Sequence, residues 1–243
     1  MHLIKLDAID STNDYLKSLM SLQFLDNFTV VIANNQTKGK GQMGSTWSSE
    51  PGKNLTRSIL IKNVLLDIHQ IYNLNVAVVL GIITALERYN IPKLSIKWPN
   101  DIMAETKKIG GILIENSIKN GGEIFSVVGI GINVNQLDFS ELPKATSLNS
   151  ILQRDFDIEE VLSKILPAIQ LNVARLLNNE SAFLWESYHH KLFKKGIPMP
   201  FETVSKKPFM GIIQGVTSDG KLKLLLENDT VSTFEIKEIQ MLY

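Results

Sequence analysis

Cysteine is absent from the 243 residues, and with it go disulfides, thiolate nucleophiles and cysteine-ligated zinc. That absence is compatible with a reducing compartment. Net charge is missing as well: 25 Lys plus Arg balance 25 Asp plus Glu, so no bulk field draws the chain to nucleic acid or an anionic membrane. Any phosphate chemistry must therefore be local. No window approaches the roughly 18 apolar residues of a membrane span. The opening "MHLIKLDAIDSTND" has acids and a helix cap where a signal peptide would need an uninterrupted apolar stretch. Internal repeats, low-complexity tracts and long linkers are also lacking. These absences describe a soluble chain, expected to be cytoplasmic.

What is present is an apolar fraction of 44%, ample for a sizeable core, and an alternating order of elements. A strand is predicted over 2–6, a helix capped at Ser11 or Thr12, and a central strand over 28–33. Further strands are predicted over 54–61, 94–98, 108–118 and 123–134, the last two joined as a hairpin by "KNGG" at 119–122. Long helices are predicted over 71–89 and 158–177, and a shorter one over 181–189. After Pro198 and Pro200 the texture becomes short strands separated by "SDG" and "END" turns. The boundary is placed near Gly196, giving a main domain over 1–196 and a small all-β module over 197–243 that is too small to be robust alone.

The chemistry-bearing segments lie in loops and at strand ends. "TKGKGQMGSTW" at 37–47 follows a strand with three glycines and two lysines, a place where bare backbone N–H groups can meet an anion. It matches neither a Walker loop nor a dinucleotide fingerprint, and a mobile surface loop is the plainer alternative. "KWPNDI" at 97–102 sets a lysine before a Pro-Asn-Asp turn, which alone is ordinary hairpin chemistry. "KKIGGILIE" places Lys107 and Lys108 at the edge of a buried strand. "GIGINVN" inserts Gly129 and Gly131 into an apolar strand, where glycine weakens packing unless something must come close. Beside them Asn133 offers an amide donor and acceptor.

In this order, over essentially the whole chain, "DSTND", "QTKGKGQMGSTW", "KWPNDI", "KIGGILIE", "GIGINVN" and the C-terminal β module resemble the biotin protein ligases. The resemblance implies an α+β fold: a mixed, largely antiparallel sheet with helices packed on it, of the class II synthetase-like type, plus a small C-terminal SH3-like β-barrel. It implies activation of biotin with ATP and magnesium to biotinyl-5′-AMP, then transfer of the biotinyl group to one lysine of a carrier protein. There would be no tightly bound prosthetic group. The 37–47 segment then corresponds to a loop that is mobile when empty and orders over the intermediate.

Residue by residue, the resemblance places Ser11, Thr12, Asn13, Gln36, Gly39, Lys40, Gln42, Lys108 and Gly111 around biotin. It places Lys40, Trp47, Lys97, Asn100, Lys108, Gly131 and Asn133 around ATP, with Trp47 near adenine and Asn133 reading its edge. Lys108 and Lys40 would be catalytic, Lys108 by offsetting negative charge as the carboxylate attacks phosphorus. Asp101 would be the magnesium-side carboxylate. The implied partner is the biotin carboxyl carrier domain of a biotin-dependent carboxylase; a second copy of the chain, met through a sheet edge, is left open.

Departures from the family pattern are local. Lys40, Gln42, Met43 and Ser45 stand where the best-known loop has arginines, and lysine cannot make the planar two-pronged contact of a guanidinium. Arg57 lies in the otherwise largely apolar "NLTRSIL", where an uncovered charge is expensive; it either faces solvent at a sheet edge or compensates for charge missing from the loop, and the second is the expectation. The chain begins almost at its first strand, so no N-terminal helix-turn-helix domain, and hence no repression of transcription, is expected. Two rivals remain in view. Lipoate–protein ligases and octanoyl transferases share the fold but need fewer polar partners for an alkyl acid, and a non-catalytic binder would lack pyrophosphate exchange.

Overall fold

The computed structural model describes residues 2–64, 70–118 and 122–243. Its larger sheet has seven strands: β1 (Leu3–Ile9), β2 (Val30–Gln36), β3 (Leu55–Lys62), β4 (Leu94–Lys97), β5 (Asp101–Ala104), β6 (Lys107–Ile118) and β7 (Ile124–Ile132). Their spatial order is β1-β2-β3-β7-β6-β5-β4. Only the β1–β2 pair is parallel, with Leu3 opposite Val30; the other neighbours run antiparallel. The sheet is therefore mixed and largely antiparallel, as the resemblance implies.

Every residue of β3 is buried, including the polar Thr56, Arg57, Ser58 and Lys62. Helix α1 (Thr12–Leu22) covers one face, with Leu16 packed among Val31, Leu60 and Val127. Helices α2 (Ile71–Glu87) and α4 (Ile158–Leu177) cover the other, while α3 (Leu148–Leu152) and α5 (Ser181–His190) are the remaining α-helices among the described residues. Lying between sheet and α4, α2 is apolar nearly all round. Gly81 allows that approach, because a Cβ there would stand 2.8 Å from the Ile169 backbone nitrogen.

Beyond 196 the chain forms a second, antiparallel sheet from β8 (Pro198–Thr203), β9 (Pro208–Val216), β10 (Leu222–Leu226), β11 (Val231–Phe234) and β12 (Ile239–Met241), in the order β11-β10-β9-β8-β12. Its Phe201, Ile213, Leu222, Leu224 and Ile239 join the core cluster of the main sheet. The seam is polar as well: Trp98 Nε1 donates to Gly220 O at 2.8 Å. Tyr72 Oη lies 3.2 Å from Pro99 O and 3.1 Å from Tyr188 Oη, so the turn between β4 and β5 is held from below and from the side. Burial raises the Tyr188 phenol well above its ordinary pKa, which keeps it a neutral hydrogen-bonding group.

Element limits differ in instructive places. Phe28 has a left-handed φ of 59° and sits in the turn before β2; the strand instead runs on to Gln36, carrying that side chain to the head of the loop. The four-residue β5 is additional to the strands read from the pattern, hidden behind the turn signal of Pro99 and Asn100. The 119–122 turn falls mostly outside the described residues, although Ile118 and Ile124 on either side pair directly.

Candidate active site

A cleft of about 640 Å³ lies where the second sheet meets the main one, within the usual range for a small-molecule site. Its floor is β3, β6 and β7 with the start of α1; its rim is the 37–47 loop, the 97–101 turn and the second sheet. Lys40, Lys97, Lys108, Lys206 and Lys237 line it against Asp101 and Glu202. A chain that is neutral overall is thus locally cationic where an anion would enter.

The floor is a hydrogen-bonded polar network. Ser11 caps α1, its side chain accepting from Asp14 N. The Thr12 amide and hydroxyl both donate to Gln36 Oε1, at 2.7 and 2.9 Å. Ser58 Oγ stands 2.7 Å from Thr12 Oγ1 and 2.5 Å from Asn13 Oδ1, and Asn13 Nδ2 donates to Glu115 Oε2 at 2.8 Å. Gly129 is needed beneath this network, since a Cβ there would come within 2.7 Å of Asn13 Oδ1. Ser11, Thr12 and Asn13 are therefore more than a helix cap: two of the three are tied into the floor.

The loop folds back on itself as a tight hairpin. Trp47 N donates to Gly39 O at 2.9 Å, Gly41 N donates to Ser45 O at 2.7 Å, and Lys40 bridges Thr46. Met43 and Gly44 make the tip with left-handed φ of 52° and 81°. Lys237, in the turn between β11 and β12, donates to Met43 O from above. At the root, Asp10 accepts from Thr37 Oγ1 at 2.6 Å and pairs with Lys38 at 2.8 Å. The bonds from Lys38 and then Thr37 hold its carboxyl below the ordinary value. The Trp47 ring comes down on Gly131, where a Cβ would be 2.5 Å from the indole. Trp47 Nε1 and Gln42 Oε1 are among the buried polar atoms without a hydrogen-bond partner.

Opposite the loop, Lys108 Nζ lies 2.6 Å from Asp101 Oδ1 and 5.7 Å from the centroid of Trp47, while Lys97 Nζ is 3.6 Å from Asp101 Oδ2. Residues on β4, β5 and β6 are gathered here by the antiparallel register that sets Lys97 against Asp101 and Asp101 against Gly111. Asn100 spends its amide on Ile112 O at 2.6 Å and fixes the turn to β6.

Most of the expected site residues border the cleft: Ser11, Thr12, Asn13, Gln36, Lys40, Gln42, Trp47, Lys97, Asn100, Asp101, Lys108, Gly111 and Gly131. Two do not. Gly39 acts behind the loop, where its missing Cβ leaves room for Trp47 O, 2.3 Å from the Cβ position. Asn133 is buried with its amide donating to Thr146 O at 3.0 Å, in the support behind Lys108 rather than on the wall. Ser58, Glu115 and Lys237 belong to the arrangement and were not read from the sequence; only Ser58, a polar residue inside an apolar strand, left a signal there.

Of the two readings of Arg57, the structure excludes the sheet edge. Its strand is central, so it does not face solvent at a sheet edge; it borders the cleft, and the partners of its guanidinium lie in β2, β3 and α4. Nη1 donates to Thr56 O at 3.0 Å and Ala33 O at 3.3 Å, and Nη2 faces Glu159 of α4 at 3.7 Å. Burial lowers its pKa to about 10 against the opposing pull of Glu159, and its Nε is unpartnered. Glu159 is half exposed and also meets Lys5, so removing Arg57 strands no buried charge. Arg57→Met should leave stability within about 1 kcal/mol of the parent or raise it, with pyrophosphate-exchange kinetics unchanged; a slowed exchange would return Arg57 to the site.

The family model described as "Biotin/lipoate A/B protein ligase family" matches residues 6–135. The chain is 30% identical to the bifunctional ligase/repressor BirA of Bacillus spizizenii over 230 residues, covering 92% of this chain and 69% of that protein. It is 26% identical to the biotin–[acetyl-CoA-carboxylase] ligase of Mycobacterium tuberculosis, covering 83% and 75% of the two. The solved biotin protein ligase of Aquifex aeolicus in complex with biotin and ATP superimposes with a TM-score of 0.80 at 28% identity, over 99% of this chain and 98% of that one.

Proposed function

The chain belongs to the biotin/lipoate A/B protein ligase family, and from that premise we propose that it is a biotin–[acetyl-CoA-carboxylase] ligase. It activates biotin with ATP to biotinyl-5′-AMP and transfers the biotinyl group to a lysine of a biotin carboxyl carrier protein. The observation that carries this reading is the joining, in one cleft, of a polar floor at Thr12, Asn13, Gln36 and Ser58 with a cationic corner at Lys97 and Lys108. A ureido ring, which both donates and accepts hydrogen bonds, suits the first; a carboxylate and phosphates suit the second. An alkyl acid such as lipoate has no ring donor or acceptor to exchange for the bonds that this floor makes within itself.

In the first step a biotin carboxylate oxygen attacks the α-phosphorus and pyrophosphate leaves. Lys108 stands where charge gathers on the carboxylate and phosphate, and its ammonium stabilises that charge without forming a covalent bond. In the second step the carrier amine attacks the acyl carbon, AMP departs with the bonding pair, and the amine loses a proton. Trp47 and Gln42 border the place of the adenylate, and Lys40 closes over it. We assign this chemistry to residues 1–196 and the covering wall, including Lys237, to 197–243.

Magnesium enters as part of the nucleotide substrate. Among the described residues no cluster of three or more His, Cys, Asp or Glu could hold a resident metal. One carboxylate, Asp101, stands beside the phosphate corner, and a substrate-borne magnesium takes most of its ligands from phosphate and water. Asp101 would supply the protein ligand when the lysines that flank it turn to phosphate. The carrier domain of a biotin-dependent carboxylase is the proposed acceptor, the β1 and β4 edges are where a second copy would pair, and no described helix is long and apolar enough to cross a membrane.

Incubation with ATP, magnesium, biotin and an apo carrier domain should add one biotinyl mass to the carrier lysine. Lipoate in place of biotin should add none, and a transfer of lipoate alone would move the assignment to the other branch of the family.

A further inference from the structure

Four charges of alternating sign run unbroken from the loop to the floor. Lys40 Nζ lies 2.5 Å from Asp14 Oδ2, and Lys17 Nζ lies 2.9 Å from Asp14 Oδ1 and 2.7 Å from Glu115 Oε1. The second Glu115 oxygen accepts from the amide of the buried Asn13 at 2.8 Å. The Asp14–Lys17 pair is ordinary i,i+3 helix chemistry. Lys40, on the far side of a glycine loop, has no such local reason to be there.

We propose that Asp14 is a positioning residue for the ligation: it anchors Lys40 and so holds the 37–47 loop shut over the cleft, linked through Lys17 and Glu115 to the amide of Asn13. The inference rests on the reading of the cleft given above and adds to it a residue with no assigned role in the chemistry. Opening the loop has to break the Lys40–Asp14 pair, while a ligand on Asn13 presses on the other end of the same chain.

The chemistry of the two groups favours this pairing. One Asp14 oxygen is already taken by Lys17, leaving a single acceptor, which a compact ammonium can use but a two-pronged guanidinium cannot use fully. Lysine at position 40 and aspartate at position 14 are matched in that sense. Partial burial pushes the Asp14 carboxyl up, but the bonds from Lys40 and Lys17 outweigh it and hold it below its ordinary value, so the anchor is ionised at neutral pH. A lone half-exposed pair contributes little; an ordered network with both partners fixed contributes more.

Hydrogen exchange over 38–47, measured on the whole protein without ligand, tests the anchor. Asp14→Asn and Lys40→Met should each speed exchange there about three- to fivefold, a shift in the range of an ordered surface ion pair, while the amides of α2 keep their protection. The double variant should exchange no faster than either single one. About 0.5 M salt should speed the parent in the same way and leave Asp14→Asn unchanged. On turnover, Asp14→Asn should release more free biotinyl-5′-AMP per carrier modified, and Asp14→Glu should restore part of the retention. Unchanged loop exchange in Asp14→Asn, or additive effects in the double variant, overturns the proposal. If Asp14→Asn unfolds the chain, Lys40→Met decides the same question from the loop side. Failure of the parent to exchange pyrophosphate into ATP would strike the functional reading instead and leave the loop measurement standing.

Discussion

Lys108→Met is expected to slow biotin-dependent exchange of pyrophosphate into ATP by about 10²–10³-fold, the usual cost of deleting one oriented electrostatic donor from a transition state. Lys108 is held by the backbone on both sides, its amide donating to Lys144 O at 2.8 Å and its carbonyl accepting from Thr146 N at 2.9 Å. The ammonium therefore reaches the cleft from a fixed root. Charge on the attacking carboxylate and the α-phosphate is greatest during the displacement, so the loss should fall mainly on kcat, with a smaller change in KM for biotin. Lys97 cannot substitute: it stands 3.6 Å from Asp101, on the opposite oxygen. Because Lys108 is a third exposed, stability should move by no more than about 1 kcal/mol. A rate within tenfold of the parent, in a folded variant, would remove Lys108 from the chemistry.

The local sequence shows a lysine pair anchored at a strand end before two glycines and a buried run, but a lysine pair alone is usually a solvated face, and the choice of Lys108 rests on the family resemblance. Periodicity showed the buried strands and the long helices, since β3 and α2 are buried along almost their whole length. What periodicity cannot show is which face of a strand a polar residue takes when both faces are covered. Arg57 and Ser58 are neighbours in one such strand and point to opposite sides, Arg57 toward Glu159 of α4 and Ser58 toward Thr12 and Asn13 of α1. Asn133 illustrates a second limit. Its position two residues after Gly131 suggested the wall of the cleft, but β7 ends at Ile132 and the chain leaves the strand there, so the Asn133 amide bonds Thr146 O. Lys237 and Glu115 show a third, because each acts through a partner about 100 or more residues away, a pairing that only the assembled sheets create.

Gly39→Ala should lower carrier biotinylation about 10²-fold, the scale of loss from misplacing reacting groups by an ångström, with little change in melting temperature. The φ of Gly39 lies outside the left-handed range, so conformational strain is not the reason. Space is: the added Cβ would sit 2.3 Å from Trp47 O and 2.9 Å from Gln36 Nε2. The first neighbour is backbone and cannot rotate away, so the Trp47 N to Gly39 O bond and the Lys40–Thr46 bridge must give. Trp47 then leaves Gly131, and Lys40 leaves its place over the floor. Gly44→Ala separates the two effects a glycine can have. Gly44 has nothing within 4 Å of its Cβ position but a φ of 81°, so its substitution costs about 1–2 kcal/mol of local strain without any collision. If closure of this loop retains the adenylate, Gly39→Ala should release biotinyl-5′-AMP into solution far faster than Gly44→Ala, read by trapping the free intermediate with added primary amine. Equal release from the two variants would mean that loop conformation, and not the fit of Trp47 against position 39, sets retention.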